Sequence, residues 1–361
     1  TKNSSITTTD PKLAVASLAP GKSSKVNFSI TAPSRTGTYT IYVRPRVNGQ
    51  NLMKEAYSFK ITVTNSSEST AYTADYTKAF RVKLTPDTEI VPILTSTSDF
   101  SVYDNATLLK TFTAGSRVRV AQSADKFAVT SGSYSWVASG PVRFTPKTDG
   151  VMQIVTMEQR PAWNTALNDN LFRGTIEVRN VDDELTLINE LALEDYMKGI
   201  GEVSNGDPTE KIKTMMVIAR TYASYYLTEA EKFPGKPYNL DDDPNNSQKY
   251  LGYGYETRSP NATAAALATV GEVVTYKGKA IKTPYFTATD GTSTKSAESV
   301  WGWTNTPWLV PILDSGCTTS TSFKGHGVGL SGCGATAMAN SGKTYLEIIR
   351  YYYTGVDIQK L

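Results

Sequence analysis

Residues 12 to 64 alternate between apolar and polar side chains with the period of two that is typical of half-buried β-strands. The alternation is clearest in KVNFSITA, GTYTIYVRPRVNG and AYSFKITVT, which turn-forming segments such as APSRTG and NGQ separate. Short strands at this spacing predict a small immunoglobulin-like β-sandwich over residues 1–66. The Ser- and Thr-rich stretch that follows has no apolar face to bury, so residues 67–79 are predicted to be a linker.

A second and longer β pattern covers residues 80–190. Its strand-like segments are FRVKL, EIVPIL, FSVYD, SRVRVAQ, PVRFTP, VMQIVTM, GTIEVRNV and ELTLINEL. We interpret them as the β-rich front portion of a larger domain, residues 80–361, separate from the first sandwich.

The period changes from two to that of a helix in residues 191–361. Apolar side chains recur at helical spacing between Ile212 and Ala223. Ahead of them, Asp207 supplies a predicted N-cap and Pro208 a first-turn proline. The pattern predicts a helix of about five turns from residue 208, which the segment FPGKP ends.

Further helices and one hairpin are predicted towards the C-terminus. The helices are expected at Pro260 to Thr269, Ala335 to Asn340 and Tyr345 to Tyr353, the last with a capping box formed by Thr344 and Glu347. A hairpin is expected around Lys277 and Gly278. The second half is therefore α+β, and so is the predicted fold class of the whole larger domain.

Composition narrows the class of protein. The 361 residues carry a net charge of only +3, which argues against a nucleic-acid partner. No apolar run approaches the roughly 20 residues that span a bilayer, and the opening TKNSSITTTD lacks the regions of a signal peptide. Abundant Thr, Ser, Asn and Tyr with few cysteines are typical of an extracytoplasmic bacterial protein, whose signal or anchor we expect to lie outside this chain.

The segment FKGHGVGLSGCGATAMA holds the chain's single histidine, His326, and one of its two cysteines, Cys333. It lacks the GK[ST] ending of a phosphate-binding loop, and no GxSxG motif supports a nucleophile triad. His326 with Cys317 and Cys333 would make three zinc ligands, but their spacing is irregular. A disulfide between Cys317 and Cys333 is the more common arrangement in an exported protein.

Three other residues, Glu202, Arg220 and Tyr250, each admit two interpretations. Glu202 lies in a Gly-bounded turn before the long helix, where it is either a solvated cap or a general acid. A general acid needs a raised pKa, so burial would have to outweigh the helix N-terminus, which lowers the pKa. Arg220 is either a buried salt-bridge partner or an anion clamp, and Tyr250 either packs in the core or stacks on a sugar.

Several segments of the larger domain, read in chain order, resemble the SpoIID/LytB family over roughly residues 81–361. They are INELALEDYMKGIGEV, DPTEKIKTMMVIARTYASYY, YNLDDDPNNSQKYLGYG, ATAAALATVGEVVTYKGKAIKTPYFTATDGTSTKSAESVWG, PWLVPILD and GHGVGLSGCGATAMANSGKTYLEIIRYYYTGVDI. Members of this family are peptidoglycan lytic transglycosylases or enhancers of cell-wall amidases. The resemblance therefore implies a SpoIID-like body.

The resemblance also implies roles for individual residues. The family's catalytic glutamate corresponds to Glu202, and its remaining motif positions imply substrate-binding roles for Arg220, Ser247, Gln248, Tyr250 and His326. The chain departs from the signature GHGVGMSQxGA, because Gly332 replaces the glutamine and Cys333 follows it. The Gly-Gly that usually precedes the threonine of DGTST is Asp290-Gly291 here.

Some members bind zinc near the segment that matches residues 239–250. This chain has no cysteine or histidine there, so we expect neither a metal nor a cofactor.

The resemblance implies a lytic transglycosylase that cleaves between N-acetylmuramic acid and N-acetylglucosamine, with peptidoglycan glycan strands as its partner. One glutamate is enough, because the muramoyl 6-hydroxyl attacks its own anomeric carbon and forms a 1,6-anhydro end. The alternative is a non-catalytic glycan-binding enhancer of an N-acetylmuramoyl-L-alanine amidase. A third class is an envelope protein that retains the fold without either role. In the first of these cases the sandwich is expected to serve as a spacer or wall-docking module.

Overall fold

The computed structural model describes residues 79–123 and 125–360, together with short strands nearer the N-terminus. The chain divides into two compact units, Thr1–Asp75 and Tyr76–Leu361. Strands of the first unit are β1 (Thr7–Thr8), β2 (Ile30–Thr31), β3 (Gly37–Val43), β4 (Arg46–Val47), β5 (Gln50–Asn51) and β6 (Tyr57–Val63). They pair antiparallel as β1 with β2, β3 with β6 and β4 with β5. These pairs do not establish the predicted immunoglobulin-like sandwich, and the predicted linker up to residue 78 lies outside the described residues.

The second unit begins with two antiparallel sheets. Their strands are β7 (Phe80–Leu84), β8 (Ile93–Ser96), β9 (Phe100–Asp104), β10 (Thr107–Phe112), β11 (Val118–Ser123), β12 (Lys126–Ser131), β13 (Tyr134–Ala138), β14 (Val142–Pro146), β15 (Met152–Ile154), β16 (Leu171–Phe172), β17 (Thr175–Val181) and β18 (Glu184–Leu191). One sheet has the order β10-β9-β14-β17-β18-β7, and β19 (Leu240–Asp241) adds to it parallel to β7. The other has the order β13-β12-β11-β8-β15-β16.

Period-two alternation accounts for the burial along these strands. In β7, Phe80, Val82 and Leu84 are buried and the two residues between them are partly exposed. Each β segment predicted in residues 80–190 contains all or part of a strand, so those predictions are confirmed. The strands that the sequence did not predict include β10 and β13, whose side chains are mostly exposed and carry only a weak apolar alternation.

The helices follow the sheets. They are α1 (Leu193–Lys198), α2 (Thr209–Thr228), α3 (Gly252–Arg258), α4 (Pro260–Ala268), α5 (Ala297–Trp301), α6 (Gly332–Asn340) and α7 (Tyr345–Tyr352). The strands among them are β20 (Glu272–Tyr276), β21 (Lys279–Ala280), β22 (Tyr285–Phe286), β23 (Leu330–Ser331) and β24 (Asp357–Lys360). They form a sheet of order β21-β20-β24 and a parallel pair, β22 with β23. The mixed α and β character predicted for this unit is confirmed, and none of the described helices is long and apolar enough to cross a membrane.

The central helix α2 confirms the predicted five-turn helix, but its start differs from the prediction. Pro208 occupies the N-cap position, and no side chain caps the helix. The Asp207 carboxylate instead accepts a hydrogen bond from the Ser204 N–H at 2.9 Å and pairs with Lys211. Asp207 therefore stabilises the turn between Ser204 and Asp207 that leads into α2, shortly after Glu202.

Local turn chemistry is confirmed elsewhere. Thr344 and Glu347 form the predicted capping box of α7. The β20–β21 hairpin turns at Lys277 and Gly278, both with positive φ (51° and 77°), as a tight two-residue turn requires. Helix α6 begins three residues before the predicted Ala335, because the Ser331 hydroxyl accepts from the Gly334 N–H and caps it.

Candidate active site

A cleft of about 960 Å³ lies beside α2 and β22. Glu202, Ser247, Gln248 and His326, four of the predicted site residues, line it together. They come from three segments that are far apart in the chain, so only the fold brings them together. Other side chains that line the cleft are Tyr222, Lys232, Tyr285, Trp301, Trp303 and Lys324.

Backbone pairing fixes the position of Glu202. The segment just before it runs beside the segment around Lys249, with the Gly201 N–H donating to the Lys249 carbonyl at 2.8 Å. The Lys249 N–H in turn donates to Glu202 Oε1 at 2.7 Å. The glutamate is therefore held at the floor of the cleft by main-chain contacts that do not depend on the Lys249 side chain.

Burial raises the pKa of Glu202 above its ordinary value. Hydrogen bonds from the Lys249 N–H and the Tyr285 hydroxyl oppose this rise without cancelling it, and the charge of Lys249 is the weakest contribution. Burial thus outweighs the groups that favour the carboxylate. A side chain in this state can carry a proton at a higher pH than a solvated glutamate, which a general acid requires.

Glu202 stands at the end of a chain of neutral hydrogen-bonding side chains. The Tyr196 hydroxyl donates to Gln248 Oε1 at 3.1 Å, and Gln248 Nε2 donates to the Tyr285 hydroxyl at 3.2 Å. Gln248 Nε2 also donates to the Ala219 carbonyl of α2. Burial raises the pKa of both Tyr196 and Tyr285 well above the ordinary value. The hydroxyls therefore stay protonated, and they fix the environment of Glu202 without adding charge.

The backbone holds His326. Its Nδ1 accepts from the Val328 N–H at 3.0 Å, and the ring also hydrogen-bonds the backbone of Tyr285. The ring packs against Phe286 and Trp301, and burial lowers the pKa of the imidazole. His326 is therefore a neutral side chain that ties its loop to β22.

Glycine is required in this loop for steric reasons. Gly325 and Gly329 both have positive φ, 103° and 77°. A Cβ on Gly325 would lie 2.9 Å from the Phe286 Cβ, and one on Gly329 would overlap the Pro284 carbonyl oxygen. The loop can therefore pack directly against the segment that carries Tyr285.

The structure does not place Arg220 or Tyr250 in the cleft. Arg220 is fully buried, where it forms a two-point salt bridge with Glu194 at 2.8 and 2.9 Å and donates to the carbonyls of Ala266 and Glu272. This geometry places Arg220 away from the cleft and favours the buried salt-bridge interpretation over the anion clamp.

Tyr250 is also buried, and its hydroxyl donates to Asn189 Oδ1 at 2.8 Å. Its ring stacks on Tyr196, which favours the interpretation that Tyr250 packs in the core.

The segment 239–250 offers no site for zinc. The Ser247 hydroxyl accepts from the Asp241 N–H, and both Asp242 oxygens accept from the Thr85 N–H. In residues 79–123 and 125–360, no group of three or more His, Cys, Asp or Glu side chains is placed to hold a metal ion. The donors present here do not fit the Cys/His zinc site of some family members.

Cys317 and Cys333 form a disulfide, with their Cα atoms 5.1 Å apart. Cys317 is buried, whereas Cys333 lines the cleft next to Gly332. Gly332, which replaces the signature glutamine, and Cys333, which follows it, are therefore part of the cleft wall. Because both sulfur atoms are bonded, neither cysteine serves as a thiolate nucleophile or a zinc ligand.

Sequence reasoning missed Tyr285, which hydrogen-bonds both Gln248 and Glu202. It is one of 21 tyrosines and lies in a strand-like segment with no distinguishing motif. The sequence patterns also gave no indication of Lys232, whose Nζ donates to the Tyr222 hydroxyl at 2.8 Å in the cleft wall. Both residues acquire their role from contacts with distant segments, which no local pattern reveals.

The SpoIID family model, described as stage II sporulation protein, matches residues 181–276, which include Glu202 and Gln248. An uncharacterised protein from Brachyspira hyodysenteriae is 30% identical over 277 residues, an alignment that takes in 53% of this chain and 73% of that relative. Stage II sporulation protein D of Bacillus subtilis is 22% identical over 261 residues, 48% of this chain and 76% of that protein. A shorter match, 49% identical over 43 residues, links the chain to stage II sporulation protein D of Bacillus amyloliquefaciens. On this similarity, the chain belongs to the SpoIID family.

Proposed function

We propose that this protein is a cell-wall lytic transglycosylase that cleaves peptidoglycan glycan strands, with Glu202 as its single acid and base. The observation that supports this most directly is a glutamate of raised pKa in a cleft that Ser247, Tyr285 and the fully buried Gln248 also line. Membership of the SpoIID family favours a role at the cell wall. Such a role requires an extracytoplasmic location.

The distribution of carboxylates favours a transglycosylase over an ordinary glycosidase. A glycosidase uses two carboxyl groups about 5 to 9.5 Å apart, one on each face of the sugar ring. Glu202 is the only acidic residue among the described side chains that line the cleft. Three other acids lie on the far side of Glu202 and outside this cleft. Asp242 accepts the Thr85 N–H and Asp169 is paired with Arg258, so both carboxylates are committed to structural contacts, and Asp87 is exposed.

The reaction needs one proton to move twice. Protonated Glu202 donates its proton to the glycosidic oxygen while the bond from that oxygen to the anomeric carbon breaks, which leaves an oxocarbenium-like centre. The muramoyl 6-hydroxyl oxygen then bonds to the anomeric carbon, and the Glu202 carboxylate accepts its proton. The product has a 1,6-anhydro end, no water is consumed, and Glu202 is again protonated.

The remaining residues of the cleft position the glycan and the acid. Gln248 and Tyr285 hold Glu202 and its surroundings in one arrangement, so little reorganisation is needed when charge develops. The hydrogen bonds of His326 join it to backbone groups and its ring packs against Phe286 and Trp301, which suits a role in shaping its loop. Ser247 lines the same wall as Gln248 and provides a hydroxyl for the glycan.

The test is Glu202→Gln acting on purified glycan strands. We expect the variant to bind the strands and to release anhydro ends about 10² to 10⁴ times more slowly, since the amide cannot transfer the proton. Glu298→Gln is the matched control, because Glu298 is an exposed acid on the neighbouring helix α5 and does not line the cleft. Release at the parent rate by Glu202→Gln would refute the role of Glu202.

A second candidate function is the non-catalytic enhancer of a cell-wall amidase. The replacement of the signature glutamine by Gly332 in the cleft wall favours it, because a catalytic site is expected to keep such a group. In that case the parent protein and Glu202→Gln would bind glycan equally, neither would cut it, and both would stimulate an added amidase to the same extent.

A further inference from the structure

Glu202 lines a second cavity, on its other side. This second cleft has a volume of about 720 Å³ and shares Glu202 and Pro244 with the first cleft. Its lining includes Trp163, Asp169, Lys249, Leu251 and Arg258. Both volumes lie in the range of about 300 to 1,000 Å³ that is typical of ligand-binding clefts. The carboxyl group of Glu202 thus stands at the junction of two cavities, each large enough for part of a ligand.

Trp163 is the most exposed tryptophan in the described residues, with 71% of its surface accessible. It lies between β15 and β16, outside the 181–276 segment that the family model matches. An isolated exposed aromatic residue is ordinary on a protein surface. Trp163 differs because its indole lines a cleft that contains the proposed catalytic acid.

The loop that carries Trp163 is held by hydrogen bonds on both sides of it. The Gln159 N–H donates to Asn168 Oδ1 at 2.9 Å, and the Asp169 N–H donates to the Gln159 carbonyl at 3.0 Å. Asp169 is joined in turn to Arg258 of α3, with Nη2 and Oδ2 2.8 Å apart. The ends of the loop are therefore anchored, which lowers the entropy cost of ordering the loop when a ligand binds against it.

The chemistry of the second cleft suits a sugar. The pyranose ring of an N-acetylated sugar has an apolar C–H face and a rim of hydroxyl and N-acetyl groups. An indole packs against the C–H face, while polar side chains hydrogen-bond the rim. Arg258 is oriented by Asp169 and remains partly exposed, and the Lys249 side chain is exposed. These groups offer donors to the sugar rim beside the aromatic surface of Trp163.

We propose that the second cleft binds the part of the glycan strand on the opposite side of the scissile bond, with Trp163 as its stacking platform. The inference rests on the proposed function, since a glycosidic bond has a sugar on each side and its acid must stand between them. It adds a requirement on the substrate. A strand has to span both clefts, so the protein prefers long oligomers and Trp163 sets the minimum length.

The test measures binding of β-1,4-linked N-acetylglucosamine oligomers of two to eight sugars, by calorimetry, in a Glu202→Gln background that does not turn them over. Oligomers long enough to cross Glu202 are expected to bind the background variant more tightly than short ones. Adding Trp163→Ala should weaken the long oligomers about tenfold, which corresponds to the loss of one aromatic stacking contact, and leave the short ones unchanged. Trp163→Phe should restore most of the difference.

Tyr134→Ala is the matched control, because Tyr134 is an exposed aromatic residue on β13 that lines neither cleft. It should leave binding of every oligomer unchanged. Equal affinity for long oligomers with and without Trp163, or an equal loss for short and long ones, would overturn the inference. If the parent protein cuts no glycan yet shows Trp163-dependent binding of long oligomers, the inference stands and the proposed reaction fails.

Discussion

Two glutamates of the second unit, Glu177 and Glu202, have pKa shifts of opposite sign. Glu177 and Glu190, on neighbouring strands, are 3% and 5% exposed and share Arg81 and Arg143 in a network of salt bridges. Burial alone would raise the pKa of Glu177, but the guanidinium groups of Arg81 and Arg143 more than reverse the rise and lower it. We call these four residues the sheet cluster.

Glu202 is the contrasting case. Its close partners in the described part of the chain are a backbone N–H and a tyrosine hydroxyl, and the pKa of the carboxyl group rises. Burial raises the pKa of Glu202 because the fold supplies it with hydrogen bonds and no guanidinium. The same side chain beside an arginine is a structural anion.

The largest expected effect comes from removing a cation of the sheet cluster. Arg143→Ala leaves two buried carboxylates with one guanidinium fewer, so we expect the free energy of unfolding to fall by about 3 to 5 kcal/mol. Chemical denaturation measures it. Arg179→Ala is the matched control, because Arg179 also pairs with Glu177 but is more exposed and should cost about 1 kcal/mol or less. Equal losses of unfolding free energy for the two variants would refute the distinction between the buried salt bridges of Arg143 and the more exposed one of Arg179.

Glu202→Gln should change stability much less, by under about 1 kcal/mol, since the amide oxygen still accepts the Lys249 N–H. The difference in stability between the variant and the parent also depends on pH. The folded pKa of Glu202 is raised, so protonation stabilises the fold below the unfolded value of about 4.3, and this is lost as the pH rises through the folded pKa. Gln cannot ionise, so the variant should gain stability relative to the parent as the pH rises. If the variant instead lost stability relative to the parent as the pH rises, Glu202 would behave like the glutamates of the sheet cluster.

The smallest expected effect is a shift in the pH profile of Tyr285→Phe. The Tyr285 hydroxyl lowers the pKa of Glu202 by hydrogen bonding, so its removal should raise that pKa further. The limb of kcat/KM that requires protonated Glu202 should move to higher pH, while the maximum rate changes by less than about tenfold. Tyr225→Phe, on α2 and outside the cleft lining, should leave the profile in place. A shift to lower pH would contradict the hydrogen bond.

Much of the fold could be predicted from local patterns. Period-two alternation located the main strands of residues 80–190, and helical spacing located α2. Turn chemistry located the hairpin at Lys277 and Gly278 and the capping box at Thr344, because both depend on a few adjacent residues. The prediction was wrong for the α2 cap, where Asp207 has Lys211 as a partner four residues along the helix.

The candidate site was less accessible to local patterns. The resemblance to a family indicated Glu202, Gln248 and His326, yet it also indicated Arg220, which the structure buries against Glu194. Whether an arginine faces a cleft or a carboxylate depends on residues far away in the chain. The same holds for the pKa of Glu202, since burial and the Tyr285 hydroxyl are both consequences of tertiary packing.

The most direct test of the central claim, that Glu202 alone cleaves the glycan without water, is product mass spectrometry in ¹⁸O-labelled water. Purified glycan strands are digested with the parent protein and with Glu202→Gln, and the new ends are analysed. We expect anhydro ends, one water lighter than reducing ends and free of ¹⁸O, from the parent and almost none from the variant. Reducing ends that carry ¹⁸O, or the same anhydro ends from the variant, would contradict it.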